Sequence, residues 1–333
     1  MAPHPQRLTV TRRACPLARP LVTSHGVTAS VDVAVAELSD TDSRGRGECV
    51  PLARFGESID SVVATLEAMR GAIFSGLNRD TLQTALPPGA ARNALDCAFW
   101  DMDAKRAYRS VAALAGLGAA APVVTAVTLD FDTPDRMAAQ AEAHRTRPLL
   151  RLELGGDGDV DRVRAVRDAA PAARLIVDAH ERWDQRQLEA FIPAMIDCRI
   201  ELIEQPLPAG ADEALAGLAP PMPICADESC RTQADLDRLD GKYQAINITL
   251  DKVGGLTEAL ALVAAAKRRG LLVVVGGAIS TSLGIAPALL VAQQAQMVDL
   301  EGPSRLAVDR GAGLRYENGM IQPADPALWG GPG

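Results

Sequence analysis

From about residue 122 the chain alternates between two patterns. Short apolar, β-branched runs give way to longer runs whose apolar residues recur every three or four positions. The short runs have the length and composition of buried strands, and the long ones the period of helices lying on a sheet. The strand candidates are "PVVTAVTL" (122–129), "PLLRLEL" (148–154), "ARLIVDA" (173–179), "RIELIEQ" (199–205), "PICAD" (223–227), "QAINITLD" (244–251), "LLVVVGG" (271–277) and "MVDL" (297–300). Helical patterns are expected in every gap. "DVDRVRAVRDAA" sets Val160, Val163 and Val166 on one face, and "LTEALALVAAAKRRG" closes on basic residues and Gly270, as a helix C-terminus should. "DTPDRMAAQAEAHR" opens with Asp132, Thr133 and a first-turn Pro134, a capping sequence. Eight strands with seven intervening helices predict an α/β fold, a (β/α)7β TIM-type barrel.

The first 115 residues read differently. "RLTVTRRACPLARPLVT" and "ASVDVAVAELSD" alternate like antiparallel strands. "SIDSVVATLEAMRGAIFSG" and "ARNALDCAFWDMDAKRA" read as helices. The organisation expected is an N-terminal α+β capping domain (1–115), the barrel (116–315), and a C-terminal segment (316–333) packing back on the capping domain.

Composition narrows the function. The 333 residues are 48% hydrophobic and 23% charged, enough for a large core. A net charge of −8 and 3% aromatic residues argue against nucleic acid as a partner. Cys15, Cys49, Cys97, Cys198, Cys225 and Cys230 form no CxxC pair and read as free thiols in a reducing compartment. There is no signal-peptide h-region, and no apolar run nears the roughly 20 residues of a membrane span. A cytoplasmic protein without membrane contact is expected; a homo-oligomer is left open.

In such barrels the chemistry sits at the C-terminal strand ends. Those ends carry Thr128, Glu153, Asp178, Glu204, Asp227, Asp251 with Lys252, Gly276–Gly277, and Asp299 with Glu301. Three successive strands end in Asp178, Glu204 and Asp227. Spaced about one βα unit apart, they lie side by side around the mouth. Converging carboxylates repel one another unless a cation sits among them, and hard oxygen donors suit Mg²⁺. Lys252 ends the sixth strand. Beside a divalent cation its pKa is expected to fall, which would let it carry a proton to or from carbon. The plainer alternatives are helix-capping acids and a turn lysine.

The segments "GECVPLARFGES", "AARNALDCAFWDMDAK", "LIVDAHERW", "ELIEQPLPAG", "CADES", "NITLDKVGG" and "VDLEGP" together resemble the enolase superfamily, and within it dipeptide epimerases of the L-Ala-D/L-Glu type. The resemblance implies magnesium on Asp178, Glu204 and Asp227, and Lys252 as one of two acid/base catalysts. It places Thr128 at the substrate carboxylate and Asp299 and Glu301 around a dipeptide's ammonium group. Arg54 would lie in the capping loop that helps select the side chain. The implied reaction is α-proton abstraction through a metal-stabilised enediolate, on a dipeptide or amino acid derivative as the small-molecule partner.

The second strand departs from the family pattern. Where the family has Lys-x-Lys, this chain has Arg151 and Glu153, both on the barrel-facing side by the strand's period of two. The family's Asp-Ala-Asn is Asp178-Ala179-His180, and His180 reads as a hydrogen-bonding neighbour of the metal ligand. The acidic pair is Asp299-x-Glu301, and the seventh strand ends Gly276-Gly277-Ala278. Three readings of Glu153 stay open. It replaces the lysine as a base, with epimerase or racemase activity kept. It acts as an acid opposite Lys252, giving β-elimination as in a dehydratase. Or it pairs with Arg151 and is inert, leaving a one-base enzyme or a binding protein on the scaffold. His4, His25 and His144 fall outside the predicted mouth.

Overall fold

The computed structural model describes residues 6–23 and 26–332. Eight parallel strands follow one another around a sheet in chain order. They are Val127–Leu129, Leu149–Glu153, Arg174–Asp178, Ile200–Glu204, Ile224–Ala226, Ala245–Thr249, Leu272–Gly276 and Met297–Asp299. The ends of the sheet meet where Ala126 N–H donates to the Val298 carbonyl at 2.7 Å. The expected (β/α)7β barrel is present.

One layer of side chains fills the barrel bottom: Ala126, Leu149, Ile176, Leu202, Cys225, Ala245, Val274 and Met297, one from each strand or its leading edge. Because strand side chains alternate, the residues two further on must form the next inward layer. Those residues are Thr128, Arg151, Asp178, Glu204, Asp227, Asn247, Gly276 and Asp299. Packing in the lower layer thus dictates which side chains enter the mouth.

Helices Pro134–Ala143, Asp159–Ala169, Gln185–Asp197 and Leu256–Arg268 cover the outside. Pro134 stands in the first turn after Thr133, though no side-chain cap bond forms. Val163 and Val166 are fully buried, whereas Val160 is only half-buried. Two gaps depart from expectation. The fourth and fifth crossovers hold only the 3-10 turns Glu213–Leu215 and Gln233–Arg238. In the fourth, Pro206, Pro208, Pro220, Pro221 and Pro223 remove the donors and the backbone freedom that a helix needs.

Strands Arg7–Thr23, Gly26–Ser39 and Arg44–Cys49 make an antiparallel sheet against helix Ala90–Arg106. The approach is close enough to require glycine. A Cβ on Gly47 would lie 2.1 Å from the Ala94 carbonyl oxygen. This layer is keyed to the barrel by buried polar contacts. The Glu48 carboxylate accepts from Thr281 N–H (2.8 Å), Thr281 Oγ1 (2.7 Å) and Arg310 Nη2 (2.6 Å). Arg92 donates to the carbonyls of Val253 (2.7 Å) and Gly254 (3.1 Å). Asp96 accepts from Thr257 N–H (2.9 Å) and Oγ1 (2.6 Å). At the C-terminus, Trp329 Nε1 donates to the Cys97 carbonyl at 3.1 Å and Gly330 N–H to Asp101 at 2.8 Å. Among the described residues no helix is long and apolar enough to cross a membrane. All six cysteines are buried and unpaired.

Candidate active site

The second inward layer converges at the mouth. Asp178 and Glu204 are register partners on adjacent strands and are both buried; Asp227 follows the fifth strand two residues past Cys225. In the middle stands Arg151, with only 12% of its side chain exposed. Its guanidinium hydrogen-bonds Glu153 and Asp178 and reaches Glu204 at 3.5 Å and Asp299 at 3.6 Å. Burial alone would lower Arg151, but Glu153, Asp178, Glu204 and Asp299 outweigh it and hold the arginine charged.

Glu153 also hydrogen-bonds His180 Nε2, whose Nδ1 lies 3.4 Å from Asp178. His180 sits on left-handed backbone (φ 46°), as does Glu181 (φ 62°), and its N–H donates to Asp178 at 2.8 Å. Burial would raise Glu153, but His180 and then Arg151 overcome it and hold the carboxyl at about 2. Against the pull of burial, Asp178 and Glu153 push His180 up to about 10. The two therefore form an ion pair at neutral pH.

Lys252 is 2% exposed. It lies in the turn of helix Leu250–Val253 directly after the sixth strand. Its Nζ donates to Asp227 Oδ1 (2.6 Å) and to the carbonyls of Asp227 (2.6 Å) and Asn247 (2.7 Å), a full set for an ammonium. Burial pulls the lysine pKa down, but Asp227 outweighs that and it sits above its ordinary value. Neighbouring Asp251 turns the other way, accepting from Asn93 Nδ2 (2.7 Å) and Val50 N–H (3.0 Å). The glycines of "LDKVGG" serve the same junction. A Cβ on Gly254 would meet Arg92 Nε at 2.4 Å, and one on Gly255 would meet Asp96 Cβ at 2.6 Å.

The remaining predicted residues form two groups. Thr128 Oγ1 donates to Asp299 at 3.3 Å, and its N–H to Glu301 at 3.1 Å. Arg305 spans Asp130 (2.5 Å) and Glu301 (3.4 Å); burial and Asp299 still push Glu301 up to about 7. Arg54 stands apart from this cluster, on the loop after the third N-terminal strand, and pairs with Glu181. His144 caps the C-terminal end of helix Pro134–Ala143, on the path back to the barrel bottom. His4 and His25 lie outside the described residues.

The donor chemistry fits a hard divalent cation. Asp178, Glu204 and Asp227 are joined by Glu228, and burial with Asp227 beside it pushes Glu228 up to about 9. Burial and the Asp178 charge push Glu204 up to about 8. Among the described residues, Glu228 Oε2 and Asn247 Oδ1 are buried without a partner, oxygens that a hydrated cation would satisfy. As the side chains stand, Asp227 is drawn to Lys252. Among the described residues, the donors within 4.8 Å of one another are Glu153, Asp178 and His180. Asp178 belongs to both sets. Taking only the final residue of each strand misses Asn247; counting by two from Ala245 finds it.

A capped parallel barrel with acids on successive strand ends and a buried lysine after the sixth strand defines an enzyme scaffold for chemistry beside a carboxylate. The chain matches the family models "Enolase C-terminal domain-like" over residues 135–330 and "Mandelate racemase / muconate lactonizing enzyme, N-terminal domain" over 6–116. It is 43% identical to the L-Ala-D/L-Glu epimerase of Escherichia coli K12 (94% of this chain, 98% of the relative). It is 41% identical to an N-acetyl-D-glutamate racemase of Pseudoalteromonas (89% and 95%). A solved structure of an enolase family member from Agrobacterium tumefaciens with homology to dipeptide epimerases, holding sodium and L-Ala-L-Glu, superposes with a TM-score of 0.95. That chain is 46% identical and covers 98% of this chain and 100% of itself. The chain belongs to the enolase superfamily, in its dipeptide and amino-acid epimerase branch.

Proposed function

We propose that this protein is an Mg²⁺-dependent isomerase that inverts the α-carbon of a dipeptide or N-acylated amino acid. The observation that carries the reading is Lys252, buried after the sixth strand with its Nζ on Asp227. Asp178, Glu204 and Asp227 would hold the metal. Bound there, Mg²⁺ would neutralise the charge that grows on the substrate carboxylate as its α-proton leaves. Inversion takes a proton from one face of the α-carbon and returns one to the other. Glu153, ionised, would take it, and the Lys252 ammonium on Asp227 would return one. The reverse direction would start from neutral Lys252 and protonated Glu153. Thr128 would donate to the substrate carboxylate. Asp299 and Glu301, gathered beside Thr128, would receive the substrate's ammonium group. The six unpaired cysteines fit a reducing, cytoplasmic setting.

Elimination is less well supported. An acid that expels a leaving group must hold a proton, and Glu153 at about 2 holds none near neutral pH. A second reading has its own observation: tied to Arg151 and His180, Glu153 is a poor partner for Lys252, so exchange would proceed on one face without inversion.

The test is α-proton exchange in D₂O with Mg²⁺ and a panel of dipeptides and N-acyl amino acids. Deuterium uptake that vanishes in Lys252→Ala, together with inversion of configuration, is the expected result. Uptake without inversion selects the one-sided reading. No uptake across the panel, with a gain in Arg151→Lys/His180→Asn/Glu153→Lys, would show that the changes around the second strand have silenced the activity.

A further inference from the structure

The N-terminal sheet carries a charged cluster on the face turned from helix Ala90–Arg106. Gly45 and Gly47 lie against that helix, so by the strand's alternation Arg46 and Glu48 point the other way. Register brings Arg13 to the same face. Val33 pairs with Arg13, Val35 with Glu48, and Glu37 with Arg46, and opposed residues in an antiparallel sheet share a face. The loop at 309–312 and the turn at 327–328 cross this face and leave a cleft of about 330 Å³, room for a small ligand. Among the described residues its lining includes three arginines, Arg13, Arg46 and Arg310, and one carboxylate, Asp309. Each arginine keeps N–H groups for the cleft. Arg46 spends Nη2 on the carbonyls of Leu328 (2.7 Å) and Ala327 (3.1 Å). Arg310 spends Nε on Thr281 Oγ1 and Nη2 on Glu48, both at 2.6 Å. Among the described residues Arg13 has no hydrogen-bond or ion-pair partner. Asp309 turns away, its two oxygens accepting from Ser282 N–H (2.9 Å) and Ser282 Oγ. Glu37 is drawn to Arg44 at 3.4 Å.

We propose that this cleft is a binding site for a phosphoryl group, either free phosphate or the head of a small phosphomonoester. Three guanidiniums set against Asp309 and the buried Glu48 leave positive charge in excess, in a chain whose net charge is −8. Guanidinium N–H groups match phosphate oxygens in charge and in geometry. Arginines on three separate segments suit a tetrahedral dianion with several free oxygens better than a planar carboxylate with two. Arg46 and Arg310 are already held by their bonds to the C-terminal turn and to Thr281 and Glu48, so binding would cost them little side-chain freedom. Arg13 is the arm left to close on the anion. The inference goes beyond the isomerase reading and stands independently of it.

The test is calorimetry of the Mg²⁺-loaded protein with inorganic phosphate and with glycerol 3-phosphate, with hydrogen exchange of residues 309–313 followed in parallel. Binding of at least one ligand is expected, with slower exchange in that loop when it is bound. Arg13→Ala should weaken the binding about tenfold, and Arg13→Glu should abolish it. Both variants should keep the wild-type unfolding midpoint, because Arg13 is exposed and holds no other element in place. Tighter binding of glycerol 3-phosphate than of phosphate supports the proposal and selects an ester as the ligand; the reverse order supports it and selects the free ion. No binding of either ligand to wild type overturns the proposal. Binding that both variants leave unchanged also overturns it, since the anion would then sit elsewhere, such as on the metal at the mouth.

Discussion

Arg151 offers a direct test of how the mouth tolerates its acids. Its guanidinium touches Glu153 and Asp178 and reaches Glu204 and Asp299. Removing one member of a buried charge cluster costs about 3–5 kcal/mol, because the partners stay buried without a counterion. Arg151→Leu, which keeps most of the volume, should therefore destabilise by that amount in EDTA. For 333 residues the unfolding entropy is roughly 0.7 kcal/mol/K, so the midpoint should fall by about 4–7 °C. Magnesium should restore much of this. A cation at a hundred times its Kd stabilises by about 2.7 kcal/mol, and in the variant it no longer competes with Arg151 for Asp178 and Glu204. The assay is thermal unfolding of both proteins with and without Mg²⁺. A larger magnesium-induced shift in the variant is the expected result. Equal shifts would refute the reasoning, since Arg151 would then not share carboxylates with the metal.

Three further outcomes follow from other parts of the molecule. Burial lifts Asp96 to about 6 despite its bonds to Thr257 and Gln83. Its folded pKa exceeds the unfolded value, so its contribution is most favourable below about 4 and is lost as pH rises through 6. Urea titrations across pH 4–8 should show that slope in wild type and a flatter one in Asp96→Asn. Gly47→Ala should cost roughly 3 kcal/mol in the same titration at fixed pH, because strand and helix must part to admit the methyl group. Gln205 accepts from Asp227 N–H (2.8 Å) and Ser229 N–H (3.1 Å), so Gln205→Leu should weaken Mg²⁺ binding about tenfold by calorimetry, with retained secondary structure by circular dichroism.

Much of the barrel was legible because burial on both faces leaves unbroken apolar runs, and the acids at their ends stand out against them. What the sequence could not show is contact across long separations. Arg54 and Glu181 are 127 residues apart, and neither has a local pattern that names the other. The prolines of the fourth crossover were visible, yet the rhythm of the flanking units overrode them in the expectation of a helix. Lys252 shows a subtler limit. Its place after the sixth strand was readable, but its charge state depends on whether Asp227 faces the lysine or a metal, and side-chain geometry decides that.

Three of the departures at the mouth, Arg151, Glu153 and His180, are physically one change. Two lysines on the second strand of the related pattern would bring two positive charges; Arg151 and Glu153 together bring none. A carboxylate placed alone among Asp178, Glu204 and Asp299 would be expelled or protonated. It is kept ionised because Arg151 stands two residues before it on the same face, and because the residue after Ala179 is a histidine that reaches it. Each of the three side chains would be costly without the other two. Glu153→Lys alone would therefore set a lysine against Arg151 and His180, two cations, and restoration of a second base requires Arg151 and His180 to change with it. Exchange measured in the single variant and in Arg151→Lys/His180→Asn/Glu153→Lys would separate these cases. Greater activity in the triple variant is the expected order, and equal activity would mean that the three positions act independently.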